Sequence, residues 1–200
     1  MILAVFGNDG QCDEIKKDIT HVEWIRLNSL NNIPASIDAV FIIDEEVIID
    51  YSTIKKSVFI NSVCRTLKEL NAPENVVRIN GWNGFLSRPD WEIAGIIDEN
   101  IITIITALNK QYTKVPDEPG FIAARVLAMI INEAWFALEE KISTEAEIDI
   151  AMKLGTNYPY GPFKWGKLIG EKNIVELLQK LSVHNKRYLP APLLLQKISE

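Results

Sequence analysis

Apolar positions along the chain follow two regimes that change near residue 116. In the first, short apolar runs alternate with polar segments. Residues 2–6 form one such run, ended by Gly7, and an unbroken run of this length predicts a strand buried on both faces. Residues 21–27 alternate, and residues 37–43 (Ile-Asp-Ala-Val-Phe-Ile-Ile) give the strongest strand signal of this half. Residues 57–60, 76–79 and 91–96 predict three more strands, and 113–115 a last extended piece. Helical spacing occupies 11–19, 66–70 and 101–110. Strands alternating with helices predict an α/β fold with a parallel sheet and a ligand site at the carboxyl ends of its strands.

Pro116-Asp117-Glu118-Pro119-Gly120 breaks this pattern, and only helices are predicted beyond it. The boundaries expected are 1–115 for the sheet domain and 116–200 for an all-α domain. Residues 121–140 form a long helix with Ile122, Val126, Met129, Ile130, Phe136 and Ala137 on one broad apolar face. Ser143-Thr144 caps the next helix, where Thr144 and Glu147 fit a capping box. That helix runs to Gly155, placed to close it in the left-handed region. Tyr158-Pro159-Tyr160-Gly161-Pro162 then reads as a non-helical corner, since proline lacks an amide donor and restricts the residue before it. Residues 163–169, 174–181 and 192–198 complete the helices.

Composition narrows the classes. With 48% apolar and 24% charged residues, the chain reads as a soluble globular protein. The longest apolar stretch, 121–138, holds Arg125 and Glu133, so no membrane span is expected, and the opening residues carry no basic segment of a signal peptide. A net charge of −6 argues against a nucleic-acid groove. Two cysteines, Cys12 and Cys64, are too few and too far apart for a disulfide framework or a zinc site, so no metal is expected, the compartment expected is the cytoplasm, and Cys12 is expected to be a packing residue.

Three strings resemble one family. Residues 151–163 carry Ala-Met-Lys-Leu-Gly running into Tyr-Pro-Tyr-Gly-Pro-Phe, similar to A-M-x-L-G and Y-P-x-G-P-F of the 3-hydroxyacyl-CoA dehydrogenases. Asp117-Glu118-Pro119-Gly120-Phe121-Ile122 with Arg125 resembles that family's D-x-P-G-F-I-x-N-R, and residues 187–194 its R-Y-x-P-x-P-L-L. Residues 57–70 look like its strand, N-T-S-S turn and helix, while 79–84 stand where it has H-F-F-N-P. The resemblance implies a shortened Rossmann-like domain followed by the family's helical domain. It also implies a homodimer through the helical domain, an acyl-CoA ligand, NAD as cofactor, and a 3-hydroxybutyryl-CoA type of oxidoreductase.

In that family a histidine takes the proton of the 3-hydroxyl while hydride passes to the nicotinamide, and a glutamate twelve residues later orients the imidazole. Histidine suits this because it titrates near neutrality. Here Glu92 stands twelve residues after Asn80, which occupies the histidine position, and Asn83 matches the asparagine of the same segment. Val63 stands where the substrate-facing serine would be, with Ser62, the substrate-binding candidate, and Cys64 flanking it, and Ala124 replaces the helix asparagine. A dinucleotide turn needs G-x-G-x-x-G. The chain has Gly7-Asn8-Asp9-Gly10-Gln11-Cys12, with Asp9 in the second glycine place. Gly7, Gly10, Asn28 (near the ribose position) and Asn61 of the N-T-S-S-like turn are the cofactor-binding candidates. Only nine residues, 28–36, replace a strand–helix unit and a helical pair of the family. The expectation is an impaired or inactive dehydrogenase relative; the alternative is a non-catalytic, dimeric acyl-CoA-binding or regulatory protein.

Overall fold

The computed structural model describes residues 1–199, which fall into two units, Met1–Phe121 and residues 122–199. The first unit holds seven strands: β1 (Ile2–Phe6), β2 (Glu23–Arg26), β3 (Ala39–Ile42), β4 (Ser57–Asn61), β5 (Val76–Ile79), β6 (Asp90–Ala94) and β7 (Gln111–Lys114). They form one sheet in the order β2-β1-β3-β4-β5-β6-β7. The apolar runs are buried on both faces, as their lack of alternation predicts. Leu3, Val5, Phe41, Phe59 and Ile79 face a core with helices α1 (Asp9–Lys16) and α2 (Glu99–Ala107). Ala4, Val40, Ile42, Val58 and Ile60 face a second core closed by loop residues such as Tyr51 and Ile54.

The sheet is parallel from β2 to β5, but β6 pairs with β5 antiparallel, and β7 runs with β6. The reversal follows from chain length: residues 80–89 are too few to hold a helical crossover, so the chain turns back beside β5. The helix expected at 66–70 is a single hydrogen-bonded turn, in which Leu70 N donates to Thr66 O at 3.1 Å and the Leu67 and Lys68 amides are taken by Asp117. Cys12 is buried, and burial raises its thiol pKa, which fits packing rather than reactivity.

The second unit is helical: α3 (Ala123–Glu139), α4 (Glu145–Thr156), α5 (Pro162–Ile169), α6 (Glu171–Ser182) and α7 (Pro192–Ser199). On α3 the buried positions are Ala124, Leu127, Ala128, Ile131, Asn132, Ala134 and Trp135, against α5, α6 and α7. The face expected from periodicity is the other one, and Ile122 and Val126 stay 58% and 56% exposed. The helix is apolar almost all round, so spacing alone does not choose the side. Small Ala124 and Ala128 do, because they admit close neighbours. Asn132 is the buried polar member. Its Nδ2 donates to Leu189 O at 3.0 Å and its Oδ1 accepts from Ala191 N at 2.8 Å, which pins the segment before α7.

Helix α4 ends at Asn157, whose φ of 56° supplies the left-handed residue, so Gly155 lies inside the helix instead of closing it. Pro162 is the first residue of α5, not part of the corner, which suits a residue whose missing amide is no loss there. The capping box at Thr144 and Glu147 forms as expected. The Ser143 hydroxyl, then the Thr144 amide, hold the Glu147 carboxyl below the usual glutamate range. Its folded value is the lower one, so the cap's stabilisation is complete above about pH 4.3 and fades as pH falls through that folded value. Amide exchange in the first turn of α4, corrected for its intrinsic rate, should quicken on acidification. Glu147→Ala should remove that pH dependence. Among the described residues no helix is long and apolar enough to cross a membrane.

Candidate functional site

The carboxyl ends of β1, β3, β4 and β5 gather most of the candidates. At the end of β1, Asn8 caps α1 by accepting from Gln11 N at 2.9 Å, so one of the helix's first amides is already taken. Gly10 lies in the first turn of α1. Asp9 pairs with Arg26 at 3.2 Å, and Arg26 also donates to Gly7 O. A side chain on Gly7 would come within 2.5 Å of Ile43 Cγ1. Glycine is therefore required here by strand packing, whether or not a phosphate approaches. Arg26, the last residue of β2, escaped the sequence reading, although its pairing opposite Val5 sets it beside the turn. Asn28 is exposed beyond β2. A carboxylate at Asp9 and a self-capped helix do not fit a diphosphate cradle.

Asn61 is buried and braces three strand ends. Its Nδ2 donates to Ile43 O at 3.1 Å, and its Oδ1 accepts from Gly81 N at 2.9 Å. A Cβ on Gly81 would meet Asn61 Cγ at 2.5 Å, so the two positions are matched in size. Ser62 Oγ donates to Arg65 O at 2.9 Å and closes the turn after β4. The loop after β5 is tied to α1: Glu14 accepts from Gly84 N and Ser87 N, both at 3.1 Å, and Gln11 Nε2 reaches Gly81 O at 3.4 Å. Asn83 is half-buried in this loop.

The twelve-residue spacing of Asn80 and Glu92 has a geometric meaning. β5 and β6 pair Arg78 with Ala94 and Ile79 with Ile93. Asn80 follows Ile79 and Glu92 precedes Ile93, so both lie next to that pair. Asn80 is buried, its Oδ1 accepts from Trp82 N at 3.3 Å, and its Nδ2 has no partner. No imidazole joins the pair within this unit. His21 precedes β2, at the opposite edge of the sheet, and bonds to Ala107 O at 2.5 Å. His184 follows α6 in the second unit, and Ala124 is buried in the first turn of α3. Among the described residues no cluster of three His, Cys, Asp or Glu stands ready for a metal.

Sequence reading also missed Arg78, fully buried in β5. It donates to Ser62 O at 2.8 Å, Val63 O at 3.2 Å and Asp117 Oδ1 at 2.6 Å. Burial lowers its pKa and Asp117 opposes that shift. The only local signal was a lone charge in an apolar strand.

Residues 120–200 match the family described as 3-hydroxyacyl-CoA dehydrogenase, C-terminal domain. The chain is 46% identical over 90 residues to a 3-hydroxyadipyl-CoA dehydrogenase of Escherichia coli, covering 44% of this chain and 19% of that one. It is 29% identical over 148 residues to a 3-hydroxybutyryl-CoA dehydrogenase of Clostridioides difficile, covering 68% of this chain and 52% of the relative. It thus spans about half or less of the length of these curated relatives. The crystal structure of (S)-3-hydroxybutyryl-CoA dehydrogenase from Ralstonia eutropha superposes with a TM-score of 0.69 at 17% identity, over 99% of this chain and 93% of that one, and so shares the fold. Over residues 120–200 the chain is thus similar to the C-terminal domain of 3-hydroxyacyl-CoA dehydrogenases.

Proposed function

We propose that this is a 3-hydroxyacyl-CoA dehydrogenase-like protein that binds an acyl-CoA and turns it over poorly or not at all. The observation that carries the reading is that Asn80 and Glu92, twelve residues apart, each lie one residue beyond the paired Ile79 and Ile93 of β5 and β6. The acid that would orient a base is retained, and the position of that base holds an amide. An asparagine side chain donates and accepts hydrogen bonds but takes up no proton near neutrality. NAD is the cofactor the family resemblance implies, and the Gly7–Gly10 turn, with Asp9 paired to Arg26, argues against its binding.

A homodimer is part of the same proposal. Ile122 and Val126 on α3, with Ile150 and Leu154 on α4, remain exposed, and α4 has no fully buried residue. A second copy would cover such a face. Buried Cys12 and Cys64, neither of them in a disulfide, fit the reducing cytoplasm.

Calorimetric titration with acetoacetyl-CoA should give saturable binding, while nicotinamide fluorescence should show no NADH binding up to millimolar cofactor. Saturable micromolar NADH binding would return the chain to the working dehydrogenases, and absence of acyl-CoA binding would remove the ligand from the proposal.

A further inference from the structure

Three N–H donors converge on one side-chain carboxylate at the carboxyl edge of the sheet. Glu45 Oε1 accepts from Val63 N at 2.5 Å and from Cys64 N at 2.9 Å, and Glu45 Oε2 accepts from Trp82 Nε1 at 2.9 Å. Consecutive backbone amides aimed at one point make an anion-binding concavity, and an indole N–H can only donate. All three donor residues are buried, whereas Glu45, on the loop after β3, is half-buried. The donors are also held from behind. Arg78 fixes the Ser62 and Val63 carbonyls, and Asn61 fixes Gly81, the neighbour of Trp82. The donor wall is thus preorganised by contacts that do not involve Glu45, while the occupant sits on the outer side.

We propose that Val63, Cys64 and Trp82 form a carboxylate-binding site in which Glu45 is the resident, exchangeable occupant. The ligand class is the carboxylate group of a small organic acid, which displaces Glu45 outward and takes over its three hydrogen bonds. The site does not depend on the acyl-CoA reading, since its donors recognise a carboxylate whether or not the chain binds coenzyme A.

Acetate is the probe, compared with chloride at equal ionic strength on the full chain. Glu45→Ala leaves three buried donors without their acceptor, so its Tm should fall by several degrees. Acetate should restore that Tm saturably and chloride should not. The wild type should show a smaller acetate-specific rise that needs more acetate, because Glu45 competes for the same donors. An equal wild-type response to both salts overturns the exchange. Adding Trp82→Phe to Glu45→Ala removes one charge-assisted bond and should weaken the apparent acetate affinity about tenfold. If Glu45→Ala does not fold in chloride, recovery on refolding in acetate alone supports the site, and failure in both salts overturns it. Equal Tm shifts of the variant in acetate and chloride also overturn it.

Discussion

Arg78→Met is expected to destabilise the first unit by about 3–5 kcal/mol, the range for removing one partner of a buried ion pair. Methionine fills much of the space but donates nothing. The loss reaches beyond Asp117, because the guanidinium also holds the Ser62 and Val63 carbonyls and contacts Glu118 O at 3.3 Å. It lies 4.8 Å from the ring centre of Phe121, a residue held in the left-handed region at φ 49°. Asp117 in turn accepts from Leu67 N at 3.0 Å and Lys68 N at 3.3 Å. One cation therefore fastens residues 117–121 to the turn after β4. Buried pairs can often be exchanged for apolar residues at little cost, but only when both charges leave and no other partner is orphaned. Here three carbonyls would also lose the guanidinium N–H groups, with Val63 O keeping its bond from Gly120 N, so Arg78→Met with Asp117→Leu should recover only a small part of the loss. Urea unfolding followed by tryptophan fluorescence measures the first effect. Faster exchange of the Gly120 amide, bonded to Val63 O at 2.8 Å, reports the loosened segment.

The network around Arg78 shows where sequence reading stops. β1, β3 and β4 were legible because strands buried on both faces are apolar through their middles, as Ile2–Phe6, Ala39–Ile42 and residues 58–60 are, while β2 was read from its alternation. Strand direction was not, since an apolar run reads alike both ways; only the short connection of residues 80–89 holds that information. Arg78 was illegible because its ion-pair partner is 39 residues away, and nothing local tells a buried cation from an exposed one. The candidate site divides in the same manner. The spacing of Asn80 and Glu92 was readable, and the antiparallel pairing of Ile79 with Ile93 is what brings the two positions to one end of the β5–β6 pair. The convergence of Glu45 on Val63, Cys64 and Trp82 joins three separate loops and leaves no local trace. Gly7 was read as a phosphate residue, yet Ile43 alone is enough to require it.

Gly161→Ala is expected to cost about 3 kcal/mol, combining overpacking of about 1–3 kcal/mol with loss of a helix cap worth about 1 kcal/mol. Gly161 has φ −72°, which any residue adopts, so backbone freedom is not the reason for glycine. Space is. A Cβ there would lie 2.4 Å from Asp149 Cα and 2.4 Å from its Cγ, and the first of these is the backbone of α4. The close approach serves a purpose, because Asp149 accepts from Phe163 N at 2.8 Å and Lys164 N at 3.0 Å and so caps α5 from the neighbouring helix. A methyl group would push α4 and α5 apart and break both bonds. Gly155 makes the contrast: it lies within α4 with nothing near its absent Cβ, so Gly155→Ala should be neutral or stabilise by up to about 1 kcal/mol. Asp149→Ala removes the cap and leaves the Cα in place, so in combination with Gly161→Ala the two losses should sum to more than the double variant shows, the cap being lost only once. Chemical denaturation read through Trp165, which packs beside Tyr158 and Tyr160 at 6.1 and 5.9 Å, measures all four proteins. A Gly161→Ala protein as stable as the wild type would mean that α4 and α5 do not meet at Asp149 in solution.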